Sequence, residues 1–335
     1  MMKKFFIISI LLICGLFCGC GGQKEKEVNY KFDTSENIFE VEENDELQTD
    51  VMGAYNIHYR DIDTEKGIVA NGKKISIPVT VESLGYTTNM GIMAILDGKP
   101  VSFYTDEDKE DTNIKFYTID KDKSVDITLN VEIQQGKKGD KVPLYIVGIL
   151  EPCYIPKNED DVSYGNYQKE LSLLPLTVDI QCDINERNIT IEKATKQAIS
   201  TSVYEENEME DGSNILDSCA QWKIEGNSEN ENKLVSKDGK VSFKLKGYGG
   251  DTANYSVICY INNEPVEIDG KENRLISLEK GKETILDYDI DISSYNRKNS
   301  MYLIIVPTAE SYLNSNLSLV KTESKLLIND MQSEE

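Results

Sequence analysis

The chain is written twice. GKKISIPVTV at 72–81, followed by MAILDGKPVSF at 93–103, has the same form as GKVSFKLKG at 239–247, followed by ICYINNEPVEI at 258–268. The correspondence continues through YTIDKDKSVDITLNVEI (117–133) and SLEKGKETILDYDIDI (277–292), LYIVGILEP (144–152) and YLIIVPTAE (302–310), and LSLLPLTVDI (171–180) and LSLVKTESKLLI (317–328). Blocks in one order with similar gaps mean that whatever the first half folds into, the second folds into as well. Tyr55 and Trp222 lie at matching distances ahead of these blocks, which starts the units near residues 50 and 217.

The blocks read as strands. Val125, Ile127, Leu129, Val131 and Ile133 alternate with Asp126, Thr128, Asn130 and Glu132, and Leu286, Tyr288, Ile290 and Ile292 alternate with Asp287, Asp289 and Asp291. That period of two puts one face inside and the other in water. Asp97-Gly98 and Asn262-Asn263 each separate an apolar run from a Pro-Val pair, and both dipeptides tolerate the positive φ of a tight hairpin turn. Pro100 and Pro265 then favour strand starts or edges. No apolar 3.6-residue stripe is long enough for a major helix; EKATKQAIST at 192–201 is the least strand-like stretch and is expected as a short helix.

A unit of roughly 110 to 130 residues with about seven alternating strands has the size of an immunoglobulin-like sandwich. The expected fold is all-β: two tandem immunoglobulin-like β-sandwich domains, a first at 51–190 and a second at 217–330, joined by an acidic linker at 191–216. EENEMEDGSN at 205–214 carries the charge of a solvated connection, so the two sandwiches are expected to reorient. In strand pattern and repetition the chain resembles Ig-like domains of bacterial surface lipoproteins.

The amino terminus, MMKKFFIISILLICGLFCGC, resembles a bacterial lipoprotein signal. Lys3 and Lys4 form a charged start, residues 5–17 an apolar run too short to span a membrane, and Gly19 a small residue before Cys20. Phe17 and Cys18 stand where Leu and Ser or Ala are usual. The resemblance implies a signal peptide at 1–19, lipidation of the Cys20 sulfur, and stable attachment by palmitate-type acyl chains to the extracytoplasmic face of the cell membrane. Residues 20–50 follow as a polar, acidic stalk.

Charge narrows the partners. The chain has 59 acidic and 36 basic residues for a net −23; removing 1–19 takes away Lys3 and Lys4 and no acid, giving −25. Such a polyanion is not a nucleic-acid binder, since phosphate neutralisation needs clustered Lys and Arg. Only Arg60, Arg187, Arg274 and Arg297 are arginine, and this Lys, Asn and Ile bias points to an AT-rich, Gram-positive source. Cys153 and Cys182 fall in the first half and Cys219 and Cys259 in the second, so export permits one disulfide per half or four thiols.

The residues argue against catalysis. His58 is the only histidine, and no G-x-S-x-G elbow or matching cysteine accompanies it, so it reads as a surface strand residue with Glu225 as its repeat counterpart. SLEK at 277–280 fits S-x-x-K, but its partner TIDK at 118–121 marks both as strand-to-turn boundaries. The acidic runs Asp106, Glu107, Asp108, Glu110, Asp111 and Glu159, Asp160, Asp161 lack the spacing of a calcium loop and read as solvated. No enzyme, metal or cofactor is expected. What remains is an insertion, CYIPKNEDDVSYGNYQ, longer than SYLNSN in the second half; its Tyr154, Tyr164 and Tyr167 form a candidate partner-binding loop. The expected function is a lipid-anchored extracellular binding or structural protein of the cell envelope acting on a protein partner, with a carbohydrate- or solute-binding lipoprotein as the alternative.

Overall fold

The computed structural model describes residues 54–333 apart from 161–163, 165–167, 187–189, 210–211 and 315–316. The first half runs β1 (Ala54–Tyr59), β2 (Ile68–Ala70), β3 (Lys74–Leu84), β4 (Thr88–Leu96), β5 (Lys99–Val101), β6 (Phe103–Thr105), β7 (Ile114–Ile119), β8 (Lys123–Glu132), β9 (Lys141–Leu150), β10 (Glu170–Ser172) and β11 (Leu176–Ile180). A four-stranded sheet, β1-β3-β8-β6, faces a seven-stranded one built on β2-β11-β9-β4-β5, with β7 added to β4 and β10 to β9. Ile75, Ile77, Val79 and Val81 of β3 and Ile127, Leu129 and Val131 of β8 fill the space between them, against Met90, Ile92 and Ala94 of β4 and Leu144 and Ile146 of β9. This is the core that two facing pleats make when each turns every second residue inward.

The second half runs β12 (Thr195–Ala198), α1 (Thr201–Glu206), β13 (Ala220–Glu225), β14 (Lys233–Val235), β15 (Lys240–Gly249), β16 (Ala253–Ile261), β17 (Glu264–Val266), β18 (Arg274–Leu278), β19 (Lys282–Asp291), β20 (Lys298–Pro307), α2 (Ala309–Asn314), β21 (Val320–Lys321) and β22 (Lys325–Ile328). Its sheets, β12-β19-β15-β13 and β14-β22-β20-β16-β17 with β18 on β16 and β21 on β20, repeat the first half's order. Two tandem β-sandwiches are therefore present, β6 and β12 being the strands without a counterpart.

Strand register gives the equivalences. Lys74 stands opposite Glu132 and Lys240 opposite Asp291, so β3 and β8 superpose on β15 and β19 end to end. On that frame Trp222, opposite Gly247, corresponds to Ile57, opposite Val81, and His58 corresponds to Lys223. The sequence pairings of Tyr55 with Trp222 and of His58 with Glu225 were thus two residues off. A slip of two keeps every side chain on its face, so alternation alone cannot detect it. The Ile57/Val81 pair has become Trp222/Gly247: a Cβ on Gly247 would lie 2.3 Å from the Trp222 ring, so glycine leaves the room that the indole fills.

The connection between the halves is built rather than loose. Ser200 caps α1 by accepting from the Val203 amide at 3.3 Å, which starts the helix at Thr201 instead of at 192 as expected. Upstream, β12 adds antiparallel to β19, with Thr195 opposite Ile285 and Ala198 opposite Lys282. All four β12 residues are exposed, so main-chain pairing and polar contacts hold the strand.

The seven-stranded sheets are buried on both faces. Met93, Ile95, Tyr145, Val147 and Ile149 of the first half form one core with Ile258, Tyr260, Tyr302, Ile304 and Val306 of the second. By register these are equivalent positions, Tyr145 with Tyr302 and Val147 with Ile304 among them, so the same surface patch of each half packs against the other, as in a dimer fused into one chain. The turn at Gly98, with φ +77, closes on β16: the Gly98 carbonyl accepts from Ser256 Oγ at 2.5 Å and Asn273 Nδ2 at 3.1 Å, and a Cβ there would lie 2.7 Å from the Ser256 Cβ. Reorientation of the sandwiches, expected from the acidic linker, is therefore corrected. Opening this face would expose a dozen buried side chains, each favouring the closed state by about 1.5–3 kcal/mol where fully covered.

Candidate functional site

The insertion after β9 is a large difference between the halves. Its Tyr164 does not face outward. Tyr164 is fully buried against Leu326 and Ile328 of the second half, with Tyr154, Ile155 and Val235 packed alongside. Its hydroxyl donates to the Tyr154 carbonyl at 3.3 Å, and the Tyr154 ring tilts against it at 6.3 Å. The candidate partner-binding role of Tyr164 is thus corrected: an aromatic ring fully covered within its own chain has no area to offer, whereas Tyr154 is half-buried beside it. Tyr167 and Cys20 lie outside the described residues.

Charged groups complete this strap. Glu159 accepts from Arg297 Nε at 3.1 Å, Asp160 pairs with Lys233 Nζ at 2.6 Å, and Lys298 Nζ donates to the Lys157 carbonyl at 2.6 Å. The acidic run read as a solvated loop spends two carboxylates holding the second sandwich. Behind them a polar chain reaches the shared core. Asn263 Nδ2 and Gln168 Nε2 donate to the Pro152 carbonyl at 2.8 and 2.9 Å, Ser324 Oγ donates to Gln168 Oε1 at 2.9 Å, and the Tyr302 hydroxyl donates to Asn263 Oδ1 at 3.0 Å.

Lys321 ends the chain. Its ammonium donates to the Thr322 carbonyl at 3.0 Å and Ser324 Oγ at 3.1 Å and sits 4.5 Å from the centre of the Tyr302 ring. Burial pulls its pKa down to about 8, against the nearby Glu170 and Glu323, which pull the other way. Sequence reading missed this lysine because VKTESK has the composition of a surface turn, and its register counterpart in β10, Ser172, is exposed.

Among the described residues, the groups capable of chemistry do not converge. His58 is half-exposed, with Nδ1 4.0 Å from Glu82 and 3.5 Å from Asn56 Nδ2, and neither of these neighbours is a hydroxyl or thiol. Cys153, Cys182, Cys219 and Cys259 are free thiols. Burial, with Glu151 adding to it, pushes Cys153 up to about 11, and burial alone raises Cys259 further, so neither supplies thiolate at neutral pH. In the first acidic loop, Asp108 holds Lys115 Nζ at 2.7 Å and Asp106 accepts from Asn130 Nδ2 at 3.2 Å. Among the described residues no three His, Cys, Asp or Glu side chains lie close enough to hold a metal ion. Ser277 is the last residue but one of β18, which Leu278 ends, and Lys280 reaches Asp251, the strand-to-turn boundary expected of SLEK. A recess of about 330 Å³ on the first four-stranded sheet is lined by Lys74, Tyr104, Lys109, Asp111, Asn130 and Glu132.

No family model and no curated protein matches the sequence. Some solved structures are similar to the chain at low identity. The fibronectin(III)-like modules of CbhA from Clostridium thermocellum are 10% identical over 84% of this chain and 98% of that one, with a TM-score of 0.22. The E. coli chaperone DraB is 9% identical over 81% and 97%, with a TM-score of 0.25. The CsuC-CsuE chaperone-tip adhesion subunit complex of Acinetobacter baumannii is 12% identical over 78% and 94%, with a TM-score of 0.20. Likenesses this loose carry no argument, and the architecture rests on the strand pairing itself.

Proposed function

We propose that the chain is a lipid-anchored, non-catalytic protein of the bacterial envelope whose two sandwiches act as one rigid block on a protein partner outside the membrane. The anchor follows from the resemblance of residues 1–20 to a lipoprotein signal, with Cys20 as the acylated residue. The observation that carries the binding role is the shared core: two sandwiches locked through Tyr145, Val147, Tyr302 and Ile304 hold their outer sheets and edges at fixed separations. A preorganised block loses little entropy when it docks. A cross-linker-bearing chain added to intact cells of its source should trap a surface protein, and Cys20→Ala should release the endogenous chain into the medium. Capture at the level of an unrelated acidic protein would overturn the binding role, and retention of Cys20→Ala at the membrane would overturn the anchor.

The recess at Tyr104 favours a second reading. An aromatic ring beside Asn130, Asp111 and Glu132 offers a sugar a stacking face and hydrogen-bond partners. A glycan array read with and without Tyr104→Ala separates carbohydrate binding from protein binding.

A further inference from the structure

We infer that the outer edge of β8 at residues 123–128 accepts an extended, lysine-bearing segment of a partner protein, which adds to the first sandwich as β12 adds to the second. Register makes Lys123 the counterpart of Lys282, because β8 and β19 align from Glu132 and Asp291 back to their first residues. On β19, residues 282–285 are filled by β12. On β8 the equivalent stretch has β3 on one side and, among the described residues, no strand on the other; β6 covers only Leu129, Asn130 and Val131. Among the described residues, the slot that the second half fills from its own chain is open in the first.

The contacts that hold β12 state the chemistry of the occupant. Since its side chains are exposed, they come down to main-chain pairing, an ion pair from Lys196 Nζ to Glu279 at 2.7 Å, and a bond from Gln197 Nε2 to Glu283 at 2.6 Å. The repeat places Asp120 where Glu279 stands and Ser124 where Glu283 stands. Asp120 is exposed on the turn before β8, and among the described residues no cation pairs with it. The first sandwich has kept the acid that receives a lysine and the polar group beside it, without the strand that supplies their partners. Main-chain pairing provides affinity at such an edge, and the flanking charge selects register.

This inference rests on the proposed protein-binding role and names its edge. The probe is a synthetic peptide of β12 sequence, EKATKQAIST, titrated by calorimetry into the full chain. One peptide should bind per chain, Asp120→Lys should weaken it at least about fivefold, as reversing one partner of an exposed pair allows, and Glu279→Lys should leave it unchanged. A peptide with glutamate at the Lys196 position should fail on the native chain and recover on Asp120→Lys. Absence of peptide binding overturns the inference, as does binding lost in Glu279→Lys, which would mean exchange at β19. Self-association of the chain abolished by Asp120→Lys would make a second copy the occupant and overturn the partner-protein assignment. Cell-surface capture is read independently: a partner still captured by Asp120→Lys leaves the binding role standing and removes this edge from it.

Discussion

Tyr260 and Tyr302 stack with ring centres 5.4 Å apart and 16° between their planes, both fully buried where the two sandwiches meet. Tyr302 is the counterpart of Tyr145, which contributes to the same core from the other half. The face that an isolated unit would expose is thus covered by its own duplicate.

A substitution confined to this face should destabilise both halves. Ile304→Ala removes a side chain that points away from its own sandwich core, and it should cost about 2–4 kcal/mol of global stability. Denaturant unfolding followed by probes in each half should show both midpoints falling together; a shift in the second half alone would contradict the shared core.

Trp222 and Gly247 should trade against Ile57 and Val81. Gly247→Val drives a side chain into the indole and should cost about 1–3 kcal/mol. Adding Trp222→Ile, which installs the first half's pair, should recover most of it. A double variant as unstable as the sum of its parts would show that the two residues do not share a site.

The strap should become cleavable without Tyr164. Tyr164→Ala removes the ring that seats it on Leu326 and Ile328, and limited proteolysis should then cut within residues 155–168 at least about tenfold faster, in line with local opening favoured by more than about 1.4 kcal/mol. Unchanged cleavage would mean that the ion pairs from Glu159 and Asp160 suffice.

Lys321 sets a pH signature. Its folded pKa, about 8, lies below the 10.5 of a free lysine, so between these values the unfolded chain binds more protons and stability rises with pH. The gain is at most about 2 kcal/mol from pH 7 to 9.5. Lys325, also lowered mainly by burial, adds in the same direction. Above pH 10 the trend reverses, because burial raises Tyr145, Tyr164, Tyr260 and Tyr302 above the free phenol and ionisation favours the unfolded chain. Lys321→Met should flatten the rise; a melting temperature that falls steadily from pH 7 would contradict a buried, protonated lysine.

Much of the fold was legible because β8 and β19 meet water on one side. Asp126, Thr128 and Asn130 between Ile127, Leu129 and Val131 announce a half-buried strand. The strands beside the shared core gave a different signal, continuous apolar runs such as GIMAIL and LYIVGI, and a strand buried on both faces is what such a run describes. Reading them only as strands missed that each sandwich has a second covered face. The acidic linker misled for a related reason: composition reports solvation of a segment, and β12 is solvated on every side chain while its backbone is paired. Tyr164 was misplaced because a loop tyrosine seeking a partner molecule and one seeking its own chain have the same sequence. The anchor at Cys20 remains a proposal from the sequence.

The central claim is that the two sandwiches form one body. Calorimetric unfolding of the chain tests it most directly: a single transition with equal calorimetric and van't Hoff enthalpies for both sandwiches together is the predicted result. Two resolved transitions, each carrying the enthalpy of one sandwich, would contradict it.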